Sequence, residues 1–204
     1  MAGSGGFRGG RFGRHSRLMH RFKSLHAAVA NAPVRELRAT LVRRVPLLPI
    51  LELGALDFLF TSGRAYRYNP AGVRCVYFSE DEATAAAEYQ RHNPGRRQPF
   101  VTYFAKVSLR RVIDLCSRET LESLGLAARD LRVPWVGARH PTVTQLLGKA
   151  VSSHASVAAI RFPSEAARTA GFAGANLVVF QDSIRRPDSV HILGPTKAPL
   201  QKWP

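Results

Sequence analysis

The sequence predicts an α+β fold with a mixed or antiparallel sheet at its core and helices around it. Three observations carry this. The chain has 204 residues, 45% of them hydrophobic, which is enough apolar material for one buried core. Short runs rich in Val, Ile, Phe and Tyr recur along it, yet they do not alternate regularly with helical patterns, which argues against a doubly wound parallel sheet. Helical stretches lie between these runs, one opening on Ser79-x-x-Glu82 and stopping before Asn93-Pro94-Gly95, others starting near Ser117 and Pro141.

The elements follow in order. Residues 1–19 are Gly- and Arg-rich with almost no branched apolar side chains, and such a segment cannot offset its ordering entropy, so a disordered basic tail is expected. From about His20 to Arg44 the spacing of Leu25, Ala28, Val29, Leu37, Leu41 and Val42 suggests one helical face, interrupted by Pro33. The remainder, 45–204, is expected to form the main domain. Ala65–Tyr68 and Arg74–Phe78 are expected as strands flanking the turn Asn69-Pro70-Ala71-Gly72. Ser79-x-x-Glu82 has the form of a capping box, opening a helix through Glu88 that should stop before Asn93-Pro94-Gly95. Strands are expected at Val101–Val107, Val112–Leu115, Val157–Phe162, Leu177–Phe180 and Val190–Leu193. Helices should start near Ser117 and Pro141, the second with Val143, Leu146, Leu147, Ala150 and Val151 on one stripe.

Charge and cysteine content narrow the function classes. Thirty basic residues against 14 acidic give +16, and ten of the basic residues with one acid, Glu36, lie before Val45. Such a surplus raises nucleic acid or an anionic surface as a partner, the Gly/Arg tail being the place for it. Two cysteines, Cys75 and Cys116, cannot frame a disulfide scaffold of this length, and no Cys/His spacing suggests a metal site. The most apolar stretch, Val45–Phe60, is too short and too interrupted to span a bilayer, and no secretory signal is visible. A cytoplasmic protein that does not enter membranes is expected.

Five residues stand out by type and order: Arg67, Tyr77, Glu88, Ser164 and Asn176. Each has an ordinary structural reading alone: a strand surface residue, a core aromatic, a partner for Arg91, a helix N-cap and a turn residue. Together with their local words they resemble the RES-domain family. Tyr66-Arg67-Tyr68-Asn69-Pro70-Ala71-Gly72, Val76-Tyr77-Phe78-Ser79 and Thr84-Ala85-Ala86-Ala87-Glu88 are similar to the family's first block. Ile160-Arg161-Phe162-Pro163-Ser164-Glu165 and Asn176-Leu177-Val178-Val179-Phe180 are similar to its later block, with Trp135, Pro141, Thr142 and Gln145 between them. The glycine that usually precedes the first arginine is Tyr66 here, with Gly63-Arg64 just upstream, so Arg64 competes with Arg67 for that role. A second arginine of the family lies near the end of its first strand, and Arg44 takes that place.

The resemblance implies a fold similar to bacterial ADP-ribosyltransferase toxins and an activity that breaks the nicotinamide–ribose bond of NAD⁺, which is the substrate. It implies inorganic phosphate as a co-substrate in some members, hydrolysis or transfer to a protein in others, no metal, and a small Xre-type helix-turn-helix antitoxin as partner. On this reading Arg67, Glu88 and Ser164 are catalytic, while Arg44, Tyr77 and Asn176 bind the dinucleotide. The residue types suit the chemistry. Departure of nicotinamide builds oxocarbenium character on the ribose, which a carboxylate stabilises. A guanidinium forks onto pyrophosphate or phosphate, a tyrosine ring offers a flat face, and neutral hydroxyl and amide groups orient the sugar. The competing readings are a nucleic-acid-binding protein gripping phosphates with its basic N-terminal arm, and a RES-like interaction protein without activity.

Overall fold

Seven strands form one sheet in the order β1-β2-β5-β4-β3-β6-β7, and β1 also pairs with β3, so that β1, β2, β5, β4 and β3 close on themselves as a ring. The computed structural model describes residues 10–53, 63–95, 98–154, 156–194 and 199–203. In chain order the elements are α1 (Gly10–Asn31), β1 (Val34–Pro46), α2 (Leu47–Leu53), β2 (Cys75–Ser79), α3 (Glu82–His92), β3 (Phe100–Asp114), α4 (Arg118–Ser123), α5 (Val143–Ser152), β4 (Ala159–Pro163), α6 (Glu165–Thr169), β5 (Ala175–Phe180), β6 (Ser189–Leu193) and β7 (Pro199–Trp203). Short 3₁₀ turns lie at Ala128–Arg132 and Gln181–Ser183. All pairings are antiparallel except β3 with β4. This is the mixed sheet of an α+β fold, with two apolar cores divided by it.

Several expectations are corrected. The helical pattern assigned to 20–44 holds only to Asn31. Beyond Pro33 the chain becomes β1, which pairs with β3 from Val34↔Ile113 to Pro46↔Phe100. Leu37 and Leu41 are four apart, a spacing that is a multiple of the strand period and close to the helical one, so it cannot discriminate. The alternation of Leu37, Ala39, Leu41 and Val45 into one core is the strand signal. At the other end, α1 already begins at Gly10, inside the expected tail; residues 1–9 lie outside the described residues. So does the part of the apolar stretch that falls in 54–62.

The second correction concerns Ala65–Tyr68, which is a turn instead of a strand. Tyr66 N–H donates to the Asn69 carbonyl at 2.9 Å, placing Arg67 and Tyr68 at the two central positions. Finally, α3 is capped by Asp81 and not by Ser79. One Asp81 oxygen accepts from the Thr84 backbone at 2.7 Å and the other from the Thr84 hydroxyl at 2.8 Å. Ser79 stays in β2. The strands expected at 101–107 and 112–115 are one strand, because Leu109 is fully buried between the outward Ser108 and Arg110.

Two close approaches position the site. Helix α5 buries its stripe of Val143, Leu146, Leu147, Ala150 and Val151, and its Gln145 both completes the Thr142 capping box and donates to the Tyr66 carbonyl at 2.9 Å. One turn on, a Cβ on Gly148 would stand 1.5 Å from the Tyr68 carbonyl oxygen, so only glycine lets the helix touch the 66–69 turn. Likewise Gly174 faces Thr84 and Ala167, where a Cβ would meet the Thr84 hydroxyl at 2.3 Å. This lets β5 enter between α3 and α6.

Candidate active site

A cleft of about 730 Å³ opens between the end of β1, the 66–69 turn, α3 and the segment 132–136. The guanidinium-bearing residues Arg43, Arg44, Arg67, Arg91 and Arg132 line it, against two carboxylates, Glu88 and Glu165. Its potential is therefore positive, suited to an anionic ligand. Among the described residues, no three His, Cys, Asp or Glu side chains group to hold a metal ion, and no helix is long and apolar enough to cross a membrane.

Glu88 projects from the second turn of α3, and its Oε1 accepts two hydrogen bonds at 2.7 Å, from the Ser164 hydroxyl and the Asn176 side-chain amide. Ser164 is the N-cap of α6, where its oxygen also accepts from Ala167 N–H at 3.0 Å. Asn176 is held in turn at its carbonyl end, which accepts from the Ser79 hydroxyl at 2.8 Å. The chain Ser79, Asn176, Glu88, Ser164 thus joins β2, β5, α3 and α6 through residues from both sequence blocks. Ser164 and Asn176 are almost fully buried, while the Glu88 side chain stays 25% exposed to the cleft. Glu88 Oε2 lies 3.9 Å from His92 Nδ1 and, among the described residues, accepts no hydrogen bond. The carboxylate is anchored by one oxygen and offers the other.

Tyr77 lines the cleft from β2, and its hydroxyl is fully engaged: it accepts from Tyr68 N–H at 3.0 Å and donates to Asn69 Oδ1 at 2.9 Å. Burial pushes its pKa well above the ordinary phenol value, so the hydroxyl serves structure and the ring face serves the cleft. Tyr66 continues the aromatic surface at 6.1 Å from Tyr77, and Trp135 lies 5.6 Å beyond it.

The arginines separate by geometry. Arg67 lines the cleft and donates through Nη1 to the Leu131 carbonyl at 2.7 Å, whereas Arg64 is exposed, contributes its own carbonyl to Asn69 and is not part of the lining. Arg44 reaches the cleft with its guanidinium 4.7 Å above the Phe100 ring. Arg43, which the sequence did not single out, lines it too and donates to the Tyr77 carbonyl at 2.6 Å. Burial lowers the Arg43 pKa, opposed by the fields of Cys75, Tyr66 and Tyr77. Both Arg43 and Arg44 keep a buried Nε without a hydrogen-bond partner among the described residues.

The structure also brings in Glu165, which sequence reasoning passed over as the first residue of α6. Its Oε2 accepts from Arg168 at 2.8 and 3.0 Å, and its Oε1 lies 3.2 Å from Arg132 Nε. The Arg168 hydrogen bonds hold its carboxyl below the usual range; Arg132 and Arg67 add to this against burial. A strand-period reading of 34–46 would have placed Arg43, and the adjacency to Ser164 was the one local signal for Glu165.

A family model described as the RES domain matches residues 54–200. No curated protein matches the sequence. Among solved structures, a chain of the M. tuberculosis MbcT–MbcA toxin–antitoxin complex superimposes with a TM-score of 0.57 at 17% identity, over 85% of this chain and 94% of that chain. That likeness is one of fold.

Proposed function

The chain belongs to the RES-domain family, and from that premise we propose that it is an NAD⁺-consuming enzyme that cleaves the nicotinamide–ribose bond. The observation that carries this is the Glu88 carboxylate, fixed through Oε1 by Ser164 and Asn176 and open through Oε2, on the wall of an arginine-lined cleft. Nicotinamide leaves as a neutral molecule and needs no acid. The demand is for a negative charge beside the developing oxocarbenium ion, in a fixed position before the bond breaks. Glu88 supplies it. Ser164 and Asn176 hold the carboxylate without cancelling its charge.

The other residues divide the remaining work. Arg67 and Arg44, with Arg43 beside them, take the pyrophosphate, and the ring of Tyr77 takes a flat base. Five guanidinium groups against two carboxylates leave donors for a second anion, which favours inorganic phosphate over water as the acceptor. A backbone like that of the ADP-ribosyltransferase toxins belongs to the same reading. In the cell the protein is the toxin of a toxin–antitoxin pair, acting on cytoplasmic NAD⁺ until a small Xre-type antitoxin binds it. The family and the likeness of fold to a toxin–antitoxin chain support that role.

Purified protein incubated with NAD⁺ should release nicotinamide, faster with phosphate present. Glu88→Gln should slow release by about 100-fold or more with the thermal melt nearly unchanged. Intact NAD⁺ after prolonged incubation, with and without phosphate, rejects the activity; a rate indifferent to phosphate rejects phosphorolysis.

A further inference from the structure

Two carboxylates line the cleft, and their bonding is unlike. Glu88 keeps Oε2 open. Glu165 has both oxygens engaged, one by Arg168 on its own helix and one by Arg132 at the end of the 128–132 turn. We propose that Glu165 is a positioning residue: by gripping Arg132 it fixes residues 131–136 as the wall that closes the cleft beside Arg67, and so sets how tightly the dinucleotide is held. The ligand named here rests on the NAD⁺ reading above; the wall itself does not.

Leu131 anchors the start of the wall in the core, but the strip beyond it packs little. Val133 and Pro134 are exposed, Val136 is 75% exposed, and the chain turns away at Gly137 with φ +73°. Beyond Leu131, a strip so poorly buried depends on specific bonds for its position. Two such bonds fall on consecutive residues: Arg67 donates to the Leu131 carbonyl, and Glu165 holds the Arg132 side chain. They come from different elements, the 66–69 turn and α6, so together they fix both the position and the rotation of the strip. Three residues on, Trp135 lies against Tyr66 at the cleft surface. An ion pair at an exposed surface contributes little. This one is different in that Glu165 is only 18% exposed and sits beside Ser164, the residue that holds Glu88. One helix start therefore sets both the reacting carboxylate and the wall facing it.

The test uses the full chain in a Trp203→Phe background, so that fluorescence reports Trp135 alone. Glu165→Gln and Arg132→Gln should each raise acrylamide quenching of Trp135, and the double variant should add nothing further. Arg168→Gln, which removes only the partner on α6, should leave quenching as it was. In the NAD⁺ assay, Glu165→Gln and Arg132→Gln should raise KM about five- to tenfold with kcat within about twofold. Unchanged quenching in both variants overturns the proposal, as does a loss of kcat at constant KM. Arg132 is more than half exposed, so its variant keeps the test decisive if Glu165→Gln fails to fold. Should the wild-type protein leave NAD⁺ intact, the quenching arms still decide the wall, and only the activity reading fails.

Discussion

On the α3–α6 side of the cleft, Ser79, Asn176, Glu88 Oε1 and Ser164 form an unbroken chain of donors and acceptors. On the β1 side, Arg43 and Arg44 each keep a buried Nε with no partner among the described residues. Buried polar groups are nearly always satisfied, so these two stand out, as do Gln181 Oε1 and Ser183 Oγ away from the cleft. The satisfied corner holds one charge in a fixed position. On the function proposed above, the β1 side takes the substrate's anion, between the 66–69 turn and the 131–136 wall.

The largest expected effect comes from the turn. Gly148→Ala sets a methyl 1.5 Å from a backbone oxygen that cannot move without carrying Arg67. A loss of about 2–3 kcal/mol or more in urea unfolding is expected, despite alanine's better helix propensity. If Gly148→Ala is neutral, α5 does not set the turn. Next comes Ser164→Ala, which removes the α6 cap and one of the two donors to Glu88; a rate loss of about tenfold with roughly 1 kcal/mol of stability should follow. A rate loss as large as that of Glu88→Gln would move Ser164 from holding the carboxylate to acting on substrate.

Tyr77→Phe tests the opposite side. Its hydroxyl serves Tyr68 N–H and Asn69, so the variant should lose about 1–2 kcal/mol while keeping kcat within about threefold. Abolished turnover in a stable Tyr77→Phe protein would give the hydroxyl a chemical role. The smallest effect is on pH. Because the folded-state pKa of Glu165 is lowered, its clamp is fully present above the ordinary glutamate pKa and is lost as pH falls through the lowered value. The difference in Trp135 quenching between wild type and Glu165→Gln should vanish over that fall, and a difference that persists would place the clamp elsewhere.

Much of the site was legible because its residues sit inside local words. Asn69-Pro70 marks a turn, Ser164 ahead of Glu165-Ala166-Ala167 marks a cap, and Glu88 lies inside an alanine-rich helical stretch. The structure brings Arg67, Tyr77, Glu88 and Asn176 to one cleft, with Ser164 behind Glu88 and Arg44 at the rim. What escaped was whatever depends on distant partners. Arg43 was hidden because a spacing of four fits a strand as well as a helix. Glu165 finds Arg132 from another part of the chain, and Gly148 is required only because Tyr68 arrives against it. No local pattern encodes such meetings.

The family match begins at residue 54, yet the strand that closes the ring, β1, lies wholly before it. A fragment trimmed to the matched residues would leave β3 with a bare row of backbone donors and acceptors where β1 had been, and β2 without its one bridge to it. Such rows recruit strands from other molecules. The segment that carries Arg43 and Arg44 to the cleft is therefore also what covers the long edge of β3.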